Sequence, residues 1–489
     1  MPTIPEIARQ MFVPSRLIGE RGKVRDRILL PDSTLIGQLA TDRISVFDFV
    51  LPATVPQKGE VLTALDVYWY TVLRNECLFD MVAFGSHTKP YLPPELADKS
   101  DIHRRLTIAR RLSMIDREAI PRGFLTGSGW QVYCETAPNH TVCGISLPPR
   151  LRDGDELPEP LFTATTKAKE GHDKHIDATT VGPEIREASL RLYRKAREIA
   201  GERGIIIADT KFEFGRDETG KLVCGDERLT PDSSRYWSFA EWQKSRHGEK
   251  VAPPPAFDKE FVRAWAKTRG IDKLDPQDPA HLSVVHGLNI PSDIIWRTNR
   301  LYRYIFFLLT TMRLETFQTT VMHIPTRLPK VEIVIGSTSD LAQTDSGLEM
   351  FEAANVPYTL HAISCHRNPD ELRQYAKAMR PETSVVIAGA GKAAALPGVL
   401  QSWLAHYGKA HIPVVGVGFR GKTEVADHAA VFGIEELPGQ PVILDTRSGG
   451  RPFFGPDGFR RACEAVIHDE FLAPVVPSKE PSFFLRRKA

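Results

Sequence analysis

GIIIADTKFEFGRDETGKLVCGDERLTPDSSRYW, residues 204–237, is the most informative stretch of this 489-residue chain. It reads as two strands joined by a turn at Asp217–Gly220, so a hairpin is expected. Side chains alternate along a strand, which puts Asp209, Lys211 and Glu213 on one face. With a regular ladder, Asp226 lies roughly opposite Lys211 on the same side. Three carboxylates and one ammonium are then expected together. Such a set suits a magnesium nucleotide, because carboxylates hold a hard cation, the metal bridges phosphate oxygens, and lysine neutralises transferring charge. A solvated strand face with cross-strand ion pairs carries the same charges, and the charges alone do not separate the two readings.

Working outward, Leu62–Asn75 and Glu184–Ala200 carry apolar residues at helical spacing; in the second, Leu190, Tyr193, Ala196, Ile199 and Ala200 form one stripe. Between them, residues 147–183 are rich in Pro, Gly, Asp and Thr, the composition of irregular, site-lining backbone. The first half has α+β texture. From Val331 the texture changes: VEIVIGSTSD, YTLHAIS, SVVIAGAG and HIPVVGVG are apolar strands alternating with helices, the signature of a parallel sheet covered on both faces. The expected organisation is an α+β domain over 1–313, a linker over 314–330, an α/β domain over 331–472, and a mobile Pro-rich tail with a basic end over 473–489.

Composition bounds the function. With 42% hydrophobic and 25% charged residues the chain reads as an ordinary globular protein. Lys plus Arg number 63 against 61 Asp plus Glu, so the overall balance calls for neither nucleic acid nor an anionic membrane. Cys77, Cys134, Cys143, Cys224, Cys365 and Cys463 form no CxxC pair or zinc-like spacing and read as reduced thiols. The N-terminus lacks a secretory apolar run and the apolar segment Tyr302–Met312 is too short to span a bilayer, so a cytoplasmic protein is expected.

Six motifs follow one another in the first half: RGKVRD (21–26), ATDRISVFD (40–48), PQKGEVLT (56–63), PRGFLTGS (121–128), FTATTKA (162–168), and IIADTKFEFG followed by LTPDSSRYW (206–237). In their order they resemble the SAICAR synthetase family over roughly residues 15–310. The resemblance implies an α+β nucleotide-binding synthetase fold and a two-stage reaction: ATP phosphorylates the carboxylate of carboxyaminoimidazole ribonucleotide, and the amine of aspartate displaces phosphate to leave an amide. By the same resemblance, Lys23 and Arg25 contact the ATP phosphates, Glu213 and Asp226 hold magnesium, and Lys211 neutralises phosphate charge. Arg122, Ser128 and Arg235 hold the ribonucleotide phosphate and carboxylate, Asp209 binds the substrate's polar edge, and Lys167, His172 and Asp173 belong to a closing loop. That loop reads KEGHDKHI and is one residue shorter than the family's.

In the second half, GSTSD (336–340), SCHRNP (364–369) and AGAG (388–391) each follow a strand at the edge where open α/β sheets place ligands. In order and spacing they resemble the aminoimidazole ribonucleotide carboxylase and mutase family over 331 to about 441. The resemblance implies that Ser337, Asp340, Ser364 and Arg367 hold ribose and phosphate, that His366 transfers a proton, and that the chain assembles as a homo-oligomer. The sequence departs from the pattern at Ala395, where the bacterial branch has histidine, at Lys392, where it has a small residue, and at Gly418 and Ala426. Two readings of this half stand side by side: an enzyme supplying the first domain's substrate, or a binding and assembly module.

Overall fold

The computed structural model describes residues 3–10, 12–167, 174–246, 253–254, 256–327, 330–380, 383–410, 412–438 and 440–468. The tail expected over 473–489 lies outside them. The chain divides into two compact units, Met1–Ile290 with Arg297–Thr326, and Pro291–Trp296 with Arg327–Ala489.

The first unit holds two large antiparallel sheets and two small separate hairpins among its described residues. One consists of β1 (Ile18–Arg21), β2 (Arg25–Ile28) and β3 (Leu35–Ala40), with a separate hairpin of β4 (Arg43–Val46) and β5 (Phe49–Thr54) following in sequence. β6 (Met81–Phe84) and β7 (Leu106–Arg110) complete that sheet in the order β1-β2-β3-β7-β6. The second sheet is built on the long strand β8 (Ser113–Leu125). After the small hairpin of β9 (Thr141–Val142) and β10 (Ile145–Ser146), it takes in β11 (Asp155–Thr166), β12 (His175–Ile176), β13 (Ile205–Thr210), β14 (Phe212–Arg216), β15 (Leu222–Gly225) and β16 (Ser234–Ser238).

Helix Pro183–Gly201 packs against β8, β11 and β13, and its stripe decides which way the sheet faces. Leu190, Tyr193, Ala196 and Ala200 are buried in one core with Ala119, Ala164 and Phe212 from the strands. Because strand side chains alternate, the neighbours of those three residues, Glu118, Thr163, Thr165, Lys211 and Glu213, turn to the opposite face.

Three expectations are corrected. Residues 147–183 are not all irregular: they contain β11, a central strand of twelve residues. Its signal was masked by Pro158 and Pro160, which fall where the β11–β8 register shifts between Glu156 and Leu161, a place where the ladder does without their missing N–H groups. The hairpin stretch contributes to four strands rather than two: the strand before the turn is interrupted at Lys211, whose N–H donates to Ser233 O at 3.0 Å, and residues 234–237 belong to β16. Within 314–330, Leu314–Thr320 is a helix whose Leu314 and Phe317 belong to the first unit's core.

The second unit is a sheet of β17 (Val331–Ile335), β18 (Tyr358–Ala362), β19 (Val385–Ala390), β20 (Val414–Gly418) and β21 (Phe453–Phe454), all parallel, in the order β18-β17-β19-β20-β21. Separate apolar clusters lie against it, one including Leu396, Leu400 and Leu404 and the other Phe351, Phe459 and Ala462. This is the two-sided covering that continuous apolar strands such as VEIVI require. GSTSD opens a 3-10 helix over Thr338–Gln343, and the α-helix begins only at Asp345. Among the described residues, no helix is long and apolar enough to cross a membrane.

Candidate active site

The register of β8 against β13 and β14 builds the site. Asp209 pairs with Arg122, Phe212 with Ala119, and Glu213 with Glu118. This unbroken register carries Asp209, Lys211 and Glu213 onto the face that also presents Glu118 and Arg122.

Two charge clusters occupy that face. In the first, Lys211 Nζ lies 2.6 Å from Glu118 Oε1 and 3.5 Å from Glu213 Oε1. Glu118 also accepts from Thr165 Oγ1 at 2.9 Å, and Glu213 accepts from Lys167 Nζ. Burial would lower the Lys211 pKa, but the two carboxylates outweigh it and the ammonium is held protonated well above its ordinary range. Glu118 was not among the residues singled out by motif. It stands four positions before Arg122, so strand alternation alone put it on the same face.

In the second cluster, Asp209 Oδ2 accepts from Arg122 Nη1 at 2.6 Å and from Arg235 Nη1 at 2.9 Å. Arg122 also donates to Ser128 Oγ at 3.1 Å and Thr163 Oγ1 at 3.0 Å. Gly127 makes room here: it has φ +56°, and a Cβ on it would come within 2.8 Å of the Arg235 guanidinium. Asp209 therefore sits between guanidinium groups rather than beside Lys211, a correction to the single cluster expected.

The position of Asp226 is corrected too. Glu213 pairs with Gly225, so Asp226 falls one residue past the ladder and not opposite Lys211. Its φ of +58° turns it out of the strand, and Oδ1 accepts from Arg25 Nη1 at 2.6 Å. Burial pushes its carboxyl up, but Arg25, then Lys167 and Lys211, hold it below its usual range. Arg25 also pairs with Glu227. The adjoining Lys23 lies in the β1–β2 turn, its Nζ 2.5 Å from Asp48 Oδ1. A Cβ on Gly22 would meet Arg25 O at 2.4 Å, and the buried Arg43 guanidinium donates to Gly22 O and Lys23 O, so the turn has little freedom. His172 and Asp173 lie outside the described residues.

Further buried pairs brace the loop after β15. Arg228 joins Asp66 and Asp80, at 2.7 and 2.9 Å, and Asp232 accepts from Lys58 Nζ and Tyr302 OH, each at 2.6 Å. Their residues are far apart in sequence and gave no local signal.

Among the described residues no three carboxylate, imidazole or thiolate groups gather closely enough to hold an ion by themselves. Glu213 and Asp226 are two carboxylates beside Lys211, and magnesium is ordinarily held by one or two carboxylates together with substrate phosphates. The donor set thus fits a metal arriving with a nucleotide rather than a dedicated cage.

In the second unit, Arg367 Nη2 donates to Gly336 O at 3.3 Å, its N–H to Ser364 Oγ at 3.3 Å, and a Cβ on Gly391 would lie 3.9 Å from Asp340 Oδ1. The loops after β17, β18 and β19 are thereby brought together. Ser337 Oγ accepts from Ser339 N at 3.3 Å, Asp340 is buried with its carboxyl pushed up by that burial, and His366 is exposed, Nδ1 3.8 Å from Cys365 Sγ.

Comparisons with known proteins agree with this architecture. A family model described as SAICAR synthetase matches residues 19–276, and one described as AIR carboxylase matches residues 330–443. The phosphoribosylaminoimidazole-succinocarboxamide synthase of Chromobacterium violaceum is 41% identical over 275 residues, covering 54% of this chain and 91% of that protein. That of Stenotrophomonas maltophilia is 41% identical over 317 residues, covering 61% of this chain and 95% of the relative. The solved SAICAR synthase of Saccharomyces cerevisiae, complexed with SAICAR, matches at a TM-score of 0.53 and 33% identity, over 63% of this chain and 99% of its own. Fold and site define an ATP-dependent carboxylate–amine ligase. The chain belongs to the SAICAR synthetase family, and its second unit carries an AIR carboxylase-like domain.

Proposed function

We propose that the first unit joins L-aspartate to carboxyaminoimidazole ribonucleotide, with ATP and magnesium, giving SAICAR, ADP and phosphate in purine biosynthesis. The single observation carrying this reading is Lys211, locked as a cation between Glu118 and Glu213 on the strand face that also holds Arg122, Asp209 and Arg235. One end of that face suits a metal-bound triphosphate. The other offers two guanidinium groups to the paired oxygens of a phosphate or carboxylate.

A carboxylate is a poor electrophile. Attack of its oxygen on the γ-phosphorus expels ADP and makes an acyl phosphate; attack of the free amine nitrogen on the carbonyl carbon then expels phosphate, and the nitrogen releases one proton and keeps the other as the amide N–H. Lys211, with Lys23 and Arg25 along the nucleotide side, neutralises phosphate charge in the first step, and bound magnesium supplies further charge neutralisation. Arg122, Ser128 and Arg235 orient the ribonucleotide so that its carboxylate meets the phosphate.

The test is ADP release with aspartate, ribonucleotide and magnesium ATP supplied together and singly. Dependence on all three is expected, together with loss of turnover in Asp226→Asn at unchanged folding. Equal turnover with glutamate or another amine in place of aspartate would refute the substrate assignment.

For the second unit, the convergence of the Ser337–Asp340, Ser364–Arg367 and Gly391 loops supports a nucleotide phosphate site with His366 as the proton-transfer group. We read it as forming carboxyaminoimidazole ribonucleotide for the first unit, a fusion that raises effective concentration without new contacts. His366→Asn should abolish conversion of aminoimidazole ribonucleotide in the full chain while ligation of supplied carboxylated substrate continues. Unchanged conversion would assign this unit to binding or assembly. Cytoplasmic location and homo-oligomeric assembly belong to the same reading, the former supported by six free thiols.

A further inference from the structure

The motif ATDRISVFD (40–48) contributes to neither charge cluster of the active face, yet three of its side chains close on the turn that carries Lys23. That turn joins β1 to β2 and is drawn tight by Gly22 N, which donates to Arg25 O at 2.7 Å. Behind it lies the fully buried Arg43 side chain. Its Nη2 donates to Gly22 O at 3.0 Å and its Nε to Lys23 O at 3.1 Å. The same fork takes both oxygens of the buried Asp26 carboxylate, at 2.5 Å from Nη2 and 3.3 Å from Nη1. Thr41 takes the next carbonyl: its N–H and its hydroxyl donate to Val24 O, at 3.0 and 2.7 Å. At the tip of the β4–β5 hairpin, Asp48 accepts from the Lys23 ammonium.

In a trans peptide the N–H points opposite to the C=O of the residue before it. With Gly22 O and Lys23 O held against Arg43, the N–H groups of Lys23 and Val24 point away from the guanidinium, toward the exposed side of the turn. No described residue accepts from either of them. Two successive backbone donors beside an ammonium suit the oxygens of a phosphate. The choice of arginine fits this task. A lysine could balance the Asp26 charge, but only a planar guanidinium reaches a carboxylate and two carbonyl oxygens at once.

We propose that Arg43 is the positioning residue of the phosphate turn: by holding the Gly22 and Lys23 carbonyls inward, it keeps the Lys23 and Val24 N–H groups turned out as donors to the phosphate chain of the nucleotide. Arg43 itself touches no ligand. This rests on the ligase reading above, in which the Lys23 turn faces ATP, and adds to it two backbone donors and the buried group that aims them. Because the donors are fixed before the nucleotide arrives, binding does not have to order the turn.

The test is calorimetry on the full chain with ligands that differ in phosphate. Arg43→Lys keeps a charge beside Asp26 and loses the fork. Kd for magnesium ADP and for magnesium tripolyphosphate should rise about tenfold, while Kd for adenosine and KM for ribonucleotide and aspartate stay within about twofold. Equal weakening of adenosine and tripolyphosphate overturns the proposal, because a residue that serves only the packing of the sheet would act on both alike. Unchanged affinity for ADP and tripolyphosphate overturns it too. Should the variant not fold, hydrogen exchange on wild-type protein decides: with magnesium ADP bound, the Lys23 and Val24 amides should exchange at least about tenfold more slowly. Exchange of both amides at the unliganded rate overturns the proposal. Wild type that fails to bind magnesium ADP at all would instead refute the ligase reading, so the two failures are distinguishable.

Discussion

Lys211→Met removes the charge on which the active face is organised and keeps most of the side-chain bulk. Glu118 and Glu213 face each other across β8 and β14, both buried, with the ammonium 2.6 and 3.5 Å from their oxygens. Without it Glu213 still has Lys167, whereas among the described residues Glu118 keeps only the Thr165 hydroxyl. Breaking a buried pair from one side costs about 3–5 kcal/mol. The Lys211 side chain is 35% exposed, so solvent screening brings the expected loss to about 2–3 kcal/mol near pH 8. Denaturant unfolding at about pH 8 should show this gap to wild type, and adding Glu118→Gln, which removes the carboxylate left without its ammonium, should restore most of it. The second substitution does not restore chemistry: ADP release should stay about 10²–10³-fold below wild type in both variants. A gap that Glu118→Gln does not reduce, or turnover within tenfold of wild type, would refute the role given to Lys211.

Other consequences are checked separately. Arg122→Lys replaces a fork that reaches Asp209, Ser128 and Thr163 with a point charge, and KM for the ribonucleotide should rise about tenfold with KM for ATP unchanged. The Asp258 carboxyl is pushed up to about 6, chiefly by burial and against the pull of Arg235. Since its folded pKa is raised, the wild type is penalised above about pH 6 and not below about pH 4, so Asp258→Asn should stabilise near pH 8 by up to about 3 kcal/mol, a gain that unfolding curves should show vanishing in acid. Gln401 is fully buried with both amide atoms unpartnered among the described residues, and Gln401→Met should raise the melting temperature, worth about 1–3 kcal/mol.

Much of this protein is legible in the chain because the relevant physics is local. The stripe on helix Pro183–Gly201, the apolar runs of β17, β19 and β20, and the alternation at Asp209, Lys211 and Glu213 each follow from periodicity within a few residues. The Lys23 turn and the Arg122–Ser128 segment stood out through motifs whose residues are near neighbours in sequence. What local sequence does not show depends on long-range pairing. β11 was hidden by two prolines that only its register with β8 makes harmless, and Asp226 was placed by a ladder that ends one residue too soon.

By itself, then, the sequence determined the two-part architecture, the strand face bearing Lys211, and the carboxylate and guanidinium groups from which a site could be made. Only the tertiary structure decided their partners: Glu118 rather than Asp226 for Lys211, Arg122 and Arg235 for Asp209, and Arg25 for Asp226. The reason is electrostatic. A side chain's period fixes which face it takes, but its charge is settled by whichever opposite charge the fold brings within about 4 Å, and those residues stand tens to hundreds of positions away.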